Sequence, residues 1–228
     1  MIELRGVSHR LGQRQVLSEI DLTLGESRIG VIGANGSGKS TLARTLNGLI
    51  RPDRGTVLVD GLDAARQTQQ VRRRVGFMFS DASAQILMPT VAEDIALSLR
   101  DLRLDATERD ARLAATLATY GLEEYADHPA QLLSGGQKQL LAFAAVLVRE
   151  PQVLVCDEPS TLLDLHNQLL LRRTIAGLAQ QVVLLTHHLE LLDDFDRVVV
   201  MDAGRVVHDG PPPEAVAFYR ALMGERVR

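Results

Sequence analysis

Residues Gly33-Ala34-Asn35-Gly36-Ser37-Gly38-Lys39-Ser40 complete the pattern G-x-x-x-x-G-K-[ST], and their setting limits the fold more than any other feature of the chain. Arg28 to Ile32 is a compact apolar run that predicts a strand, and Leu42 to Ile50 has helical apolar spacing closed by Arg51-Pro52-Asp53. A strand that enters a glycine-rich turn and leaves as a helix aims backbone N–H groups at an anion. The glycines let the loop curl around phosphates, Lys39 can reach the terminal ones, and the Ser40 hydroxyl, followed by Thr41, can ligate Mg²⁺.

The rest of the chain alternates around that unit. Ile2 to Leu11 and Gln15 to Leu24, parted by Gly12-Gln13, predict an N-terminal antiparallel pair, and Thr56 to Asp60 and Val75 to Phe79 predict further strands. From about Thr90 to Glu150 the sequence is rich in Ala, Leu and Arg and reads as helical throughout. Thr107 with Asp110 resembles a capping box opening a helix to about Tyr120, and Gly136 to Arg149 is a second apolar helix. Then follow strand Val153 to Cys156, helix Leu165 to Ala179, strand Val182 to Leu185, a short helix Leu189 to Leu192 and strand Arg197 to Met201. A hairpin turning at Gly204 and ending near His208, Pro211 to Pro213 and a last helix from Glu214 complete the chain. The expected fold is α/β: a mainly parallel sheet with helices on both faces, antiparallel N-terminal strands and one inserted α-helical lobe. The expected boundaries are 1–85 and 151–228 for the core and 86–150 for the lobe.

Composition narrows the partners. The 228 residues are 46% hydrophobic and 24% charged, which suits one globular domain and excludes long disorder, collagen and coiled coil. Twenty-five Lys and Arg against 29 Asp and Glu give a net charge of -4, so charge supplies no reason to bind nucleic acid or an anionic bilayer. Aromatics at 4% with no Trp argue against a base-stacking platform for single strands. The lone Cys156 follows the apolar run Val153 to Val155 and reads as a small buried hydrophobe in a reducing compartment. Met1-Ile2-Glu3 opens no targeting segment, and no window approaches the roughly 18 apolar residues of a membrane span, so a cytosolic or peripheral protein is expected.

Val153 to Cys156 delivers Asp157 and Glu158 at a strand end. Alone, two adjacent acids there are an ordinary solvated turn; beside a phosphate loop they suit a metal ligand and a base that orients or deprotonates water. Just before that strand, Leu133-Ser134-Gly135-Gly136-Gln137 opens a helix. With these motifs in this order the chain resembles the ATPase subunits of ATP-binding cassette (ABC) transporters over essentially its whole length. The resemblance makes Pro159-Ser160-Thr161-Leu162-Leu163-Asp164 the D-loop and His187, after Thr186, the switch histidine. It implies a head-to-tail dimer in which Ser134 and the N–H groups of Gly135, Gly136 and Gln137 hold the γ-phosphate bound by the partner's loop. It further implies Glu158 as general base, His187 on the γ-phosphate, Ser40 and Asp157 on Mg²⁺, and Asp164 communicating between the two sites. His188 is read as a surface or structural residue.

Two positions depart from the family. Where the Q-loop glutamine would follow Val75 to Phe79, the chain has Ser80-Asp81-Ala82-Ser83-Ala84-Gln85. A serine hydroxyl can still reach Mg²⁺, directly or through water, but is too short to contact a membrane partner as well, so altered coupling with retained hydrolysis is expected. Where an aromatic A-loop ring would stack on adenine, Val7-Ser8-His9-Arg10-Leu11 offers His9 to stack or Leu11 for apolar contact. The segments Gly76 to Phe79 and Gln85 to Ala96 resemble the energy-coupling factor (ECF) type, in which two ATPases drive a transmembrane coupling subunit and a small substrate-binding membrane protein. Gln85 matches a second glutamine of that group and is expected to face the membrane partner. ECF ATPases often carry an added C-terminal domain, which is not expected with the chain stopping at Arg228, and the short form is most similar to biotin importers, then to cobalt or nickel importers, the other reading being a slow nucleotide-gated regulatory or binding module. The location so implied is the cytoplasmic face of the membrane, and a homodimer is favoured over two different ATPases.

Overall fold

The computed structural model describes residues 1–161 and 163–226; Leu162 of the expected D-loop lies outside them. β1 (Ile2–Leu11) and β2 (Arg14–Leu24) pair antiparallel across Gly12-Gln13, as the alternation predicts. β1 also pairs with β4 (Arg54–Val59), which turns into the short β5 (Leu62–Asp63), giving a four-stranded sheet ordered β2-β1-β4-β5. The second sheet holds β3 (Arg28–Gly33), β6 (Val75–Met78), β7 (Val153–Asp157), β8 (Gln181–Leu185), β9 (Arg197–Asp202) and β10 (Arg205–Gly210). Its order is β10-β9-β3-β8-β7-β6, with β10 alone antiparallel. Parallel pairing brings the C-terminal ends of β3, β6, β7 and β8 to one rim, where ligands bind in open α/β sheets.

The helices are α1 (Lys39–Leu46), α2 (Thr68–Arg74), α3 (Ala82–Gln85), α4 (Val91–Leu97), α5 (Ala106–Tyr120), α6 (Gly135–Leu147), α7 (Leu165–Ala176) and α8 (Pro212–Glu225). Leu189–Leu192 is a 3₁₀ turn. The strand period of two divides the central strands between two cores. Val183 and Leu185 of β8, with Val199 and Met201 of β9, join Leu42 and Leu46 of α1 and the inner face of the other sheet. Val182, Leu184, Val198 and Val200 face the opposite way, onto Phe143, Leu171 and Ala215. A third cluster gathers Ile86, Val91, Ile95, Leu117, Leu141, Ala144 and Val148. α6 serves two of these: Ala142, Phe143 and Leu147 pack on the sheet, while Leu141 and Ala144 pack among α4 and α5. Among the described residues no helix is long and apolar enough to cross a membrane.

Several element bounds differ from the expectation. α1 stops at Leu46 because the Leu49 and Ile50 N–H groups both turn back to the Arg44 carbonyl. The stretch from Thr90 to Glu150 is not helical throughout: Gly121 caps α5, and 3₁₀ turns at Glu123–Tyr125 and Ala130–Leu132 follow. α5 is opened by Asp105, whose carboxylate accepts the Glu108 N–H at 2.8 Å, so the capping box lies two residues before Thr107. α7 ends at Ala176 instead of Ala179, and the Arg28 guanidinium collects the carbonyls of Ala176, Leu178 and Gln180 beyond it. α8 starts at Pro212, a residue suited to a first helical turn, two positions before Glu214.

Candidate nucleotide site

At the rim of the parallel sheet lies a cavity of about 870 Å³, lined along its length by Gly33 to Thr41. The β1–β2 hairpin adds Leu11, Arg14 and Val16 to the lining, the chain after β6, β7 and β8 adds Ser80, Glu158, Thr161 and His187, and α8 adds Tyr219. β3 delivers the loop and α1 leaves it, so unpaired first-turn N–H groups face the cavity. Lys39 is buried and curls back, donating to the Gly33 carbonyl at 2.8 Å and lying 3.6 Å from Glu158. Ser37 is 3% exposed, and its Oγ has no hydrogen-bond partner among the described residues. A buried orphan hydroxyl inside a loop of N–H groups and a lysine suits an anionic ligand.

Ser40 and Asp157 meet as the sequence implies: the Ser40 hydroxyl donates to Asp157 Oδ1 at 2.8 Å. Burial raises the Asp157 carboxyl above the ordinary carboxylate value, against the Ser40 hydrogen bond and the pull of Arg44, whose guanidinium stands 3.9 Å away. A hydroxyl and one costly buried carboxylate at a phosphate loop fit a hard divalent cation that completes its shell from phosphate and water. Among the described residues no group of three or more His, Cys, Asp or Glu could hold a metal by itself.

Glu158 adopts φ +55°, a left-handed conformation that is strained for a residue with a side chain. Its N–H bonds the Leu185 carbonyl at 3.0 Å, and its carboxylate accepts the His187 N–H at 3.2 Å and meets His187 Nδ1 at 2.7 Å. Thr186 is fully buried after β8, so the next residue is forced out over the rim. His187 therefore stands 47% exposed beside the carboxylate, with the His188 ring against it at 4.2 Å.

The remaining sequence-derived residues fall in three places. Ser80 lines the cavity, whereas Gln85 folds back on β6, accepting from the Phe79 N–H at 3.2 Å and donating to the Phe77 carbonyl at 3.4 Å. Gln85 thus holds the strand end that carries Ser80, and its amide is committed to this chain's backbone. His9 does not line the cavity; its ring is mostly buried with Nδ1 3.4 Å from Asp53, which leaves Leu11 from the two residues offered for base contact. Ser134, Gly135, Gly136 and Gln137 lie outside the cavity, at the start of α6. There Ser134 Oγ accepts the Gln137 N–H at 3.3 Å, and Gln137 Oε1 accepts the Ser134 N–H at 2.9 Å. Gly136 abuts α7 so closely that an added Cβ would lie 2.0 Å from Asn167 Oδ1, and Asn167 in turn donates twice to Asp164, the cap of α7. Arg14 and Tyr219 are cavity residues that sequence reasoning missed; Tyr219 comes from α8 and carried no local signal. Burial and the Glu158 charge raise the Tyr219 phenol above its ordinary value. Cys156 is fully buried in the core, its thiol pushed up by desolvation.

This phosphate cradle, acid pair and helix-borne signature are the parts of an ABC ATPase. The family model for ABC transporter matches residues 17–161, and the chain belongs to that family, as a cassette of the ECF type. A biotin transport ATP-binding protein, BioM, of Rhizobium etli is 44% identical over 96% of this chain and 97% of its own length. An energy-coupling factor transporter ATP-binding protein, EcfA1, of Caldanaerobacter subterraneus is 39% identical over 87% of this chain and 74% of its own. The structure of cbiO1 from Clostridium perfringens, part of the ABC transporter complex cbiONQ, superposes with a TM-score of 0.85 at 28% identity, covering 100% of this chain and 94% of that one.

Proposed function

We propose that this chain is the ATP-hydrolysing motor of an ECF-type importer, working as a pair of cassettes that close on ATP. The observation that carries this reading is the division of the site. Phosphate loop, Ser40–Asp157 pair and Glu158–His187 pair share one cavity, while the signature end of α6 lies outside it. A second copy placed head to tail supplies the missing anion-binding end, so ATP joins the two and hydrolysis releases them.

In that arrangement Lys39 and the loop N–H groups hold the phosphates, and the Ser134 hydroxyl with the Gly135, Gly136 and Gln137 N–H groups grips the γ-phosphate from across the interface. Asp164 relays between the two sites. Ser40 and Asp157 would hold Mg²⁺, which when bound would neutralise charge on the phosphates. Glu158 takes the proton of the attacking water; His187 orients that carboxylate and contacts the γ-phosphate. Residues 86–150 and the segment from Ser80 meet the transmembrane coupling subunit, which in turn carries a small substrate-binding membrane protein. The chain would then sit peripherally at the cytoplasmic face. The near full-length likeness to a biotin transport protein supports biotin as cargo; cobalt or nickel is the alternative.

Glu158→Gln tests the motor: turnover should vanish while ATP-dependent dimerisation persists, and a wild type as slow as the variant would refute hydrolysis as its work. Extraction of the tagged protein in mild detergent tests the assembly. A co-purifying coupling subunit and small binding protein are expected, and the ligand of the latter names the cargo. Two permease domains with a periplasmic binding protein would overturn the ECF importer.

A further inference from the structure

Tyr219 of α8 brings an aromatic side chain to the cavity, whereas among the described residues the β1–β2 hairpin brings none and lines it otherwise. Leu11 and Arg14 are cross-strand partners on either side of the Gly12-Gln13 turn, and Arg14 and Val16, two apart on β2, share a face. All three line the cavity. The hairpin is pinned over the loop by close backbone approach. The Ser18 N–H bonds the Gly204 carbonyl at 2.8 Å, and a Cβ on Gly38 would lie 2.6 Å from the Val16 carbonyl oxygen. Two residues from that anchor, the exposed Arg14 guanidinium reaches back to the Gly36 carbonyl at 3.4 Å, so it lies across the mouth of the loop instead of projecting into solvent.

We propose that Arg14 is the base platform of this cassette, its planar guanidinium stacking on the purine against the apolar backing of Leu11 and Val16. The idea rests on the cavity being the nucleotide site and adds how the base is read. A guanidinium is planar, weakly hydrated and stacks flat on π-faces, whereas a lysine ammonium is a compact, strongly hydrated point charge. Among the described residues Lys39 and Arg14 are the Lys or Arg side chains lining the cavity, and Lys39 is committed to Gly33 and the Glu158 side. The hairpin residues lining the cavity, Leu11, Arg14 and Val16, carry no side-chain hydrogen-bond acceptor, so stacking on them holds adenine and guanine alike.

Direct calorimetric binding to the full chain tests this without relying on turnover. ATP, GTP and inorganic tripolyphosphate are titrated into wild type, Arg14→Ala, Arg14→Lys and Arg14→Tyr. Wild type is expected to bind ATP and GTP within about threefold of each other, and Arg14→Ala and Arg14→Lys to weaken both by on the order of tenfold. The same two variants should bind tripolyphosphate within about twofold of wild type, since a stacking platform touches no phosphate, and Arg14→Tyr should restore ATP binding. Full rescue by lysine, or an equal loss for tripolyphosphate, would make Arg14 a phosphate cation and overturn the platform. A wild type that binds neither nucleotide nor tripolyphosphate would instead remove the nucleotide site itself.

Discussion

The contact between the β9–β10 turn and β2 sets the position of the hairpin, and two glycines measure what it contributes. Gly204 and Gly61 have nearly the same left-handed backbone, φ +79° and +77°. A Cβ on Gly61 would meet nothing within 4 Å, whereas one on Gly204 would lie 2.5 Å from the Val16 carbonyl oxygen and 3.0 Å from its carbon. Gly61→Ala therefore bears only the conformational cost, about 1 kcal/mol, or roughly 2–4 °C in melting temperature for a domain this size. Gly204→Ala bears that cost and must also move β2, straining the Ser18–Gly204 bond, for a total of about 2–4 kcal/mol and roughly 5–15 °C. Because Val16 lines the nucleotide cavity, Gly204→Ala should also weaken ATP binding several-fold, on the order of 1 kcal/mol, and Gly61→Ala should not. Scanning calorimetry and ATP titration on both variants decide it. Equal melting temperatures for the two would refute the reasoning that the Gly204–Val16 contact holds the hairpin on the loop.

Phe143→Ala, at a fully buried site between α6 and the sheet, should cost about 3–5 kcal/mol in denaturant unfolding, and a loss under about 1 would mean that the site collapses around the gap. Gln85→Ala should lower the ATPase rate of the isolated chain, because Gln85 holds the backbone leading to Ser80; a defect seen only in the assembled transporter would restore its expected role toward the membrane partner. Arg149 holds the Asp101 carboxyl below the ordinary carboxylate value, so the unfolded chain binds the proton more readily and the pair stabilises the fold above that value. Asp101→Asn should thus cost under about 1 kcal/mol at neutral pH, the pair being half exposed, and match wild type as pH falls through the lowered value. A stability gap independent of pH would contradict that account.

The phosphate loop, the acid pair and the alternation of strands and helices were legible because each is written in neighbouring residues with their own period. The cap of α5 was not, since Asp105 with Glu108 and Thr107 with Asp110 both satisfy the same local rule, and only packing of the preceding chain sets the phase. Gln85 was read outward because nothing local says that α3 folds back on β6. Arg14 and Tyr219 enter the site from a hairpin and a C-terminal helix, 22 residues before Gly36 in the first case, and such proximity appears only once the sheets are stacked.

α6 belongs to two cores at once, with Phe143 on the sheet side and Leu141 and Ala144 on the side of α4 and α5. One rigid rod is therefore the shared axle of both bodies, and its tip is the signature. A tilt of the helical lobe that carried α6 with it would displace the Ser134 end, and through the contact of Gly136 with Asn167 would bear on the cap of α7. In the proposed pair, one helix would thus join the packing of the lobe both to a neighbour's nucleotide and to the cap of its own α7.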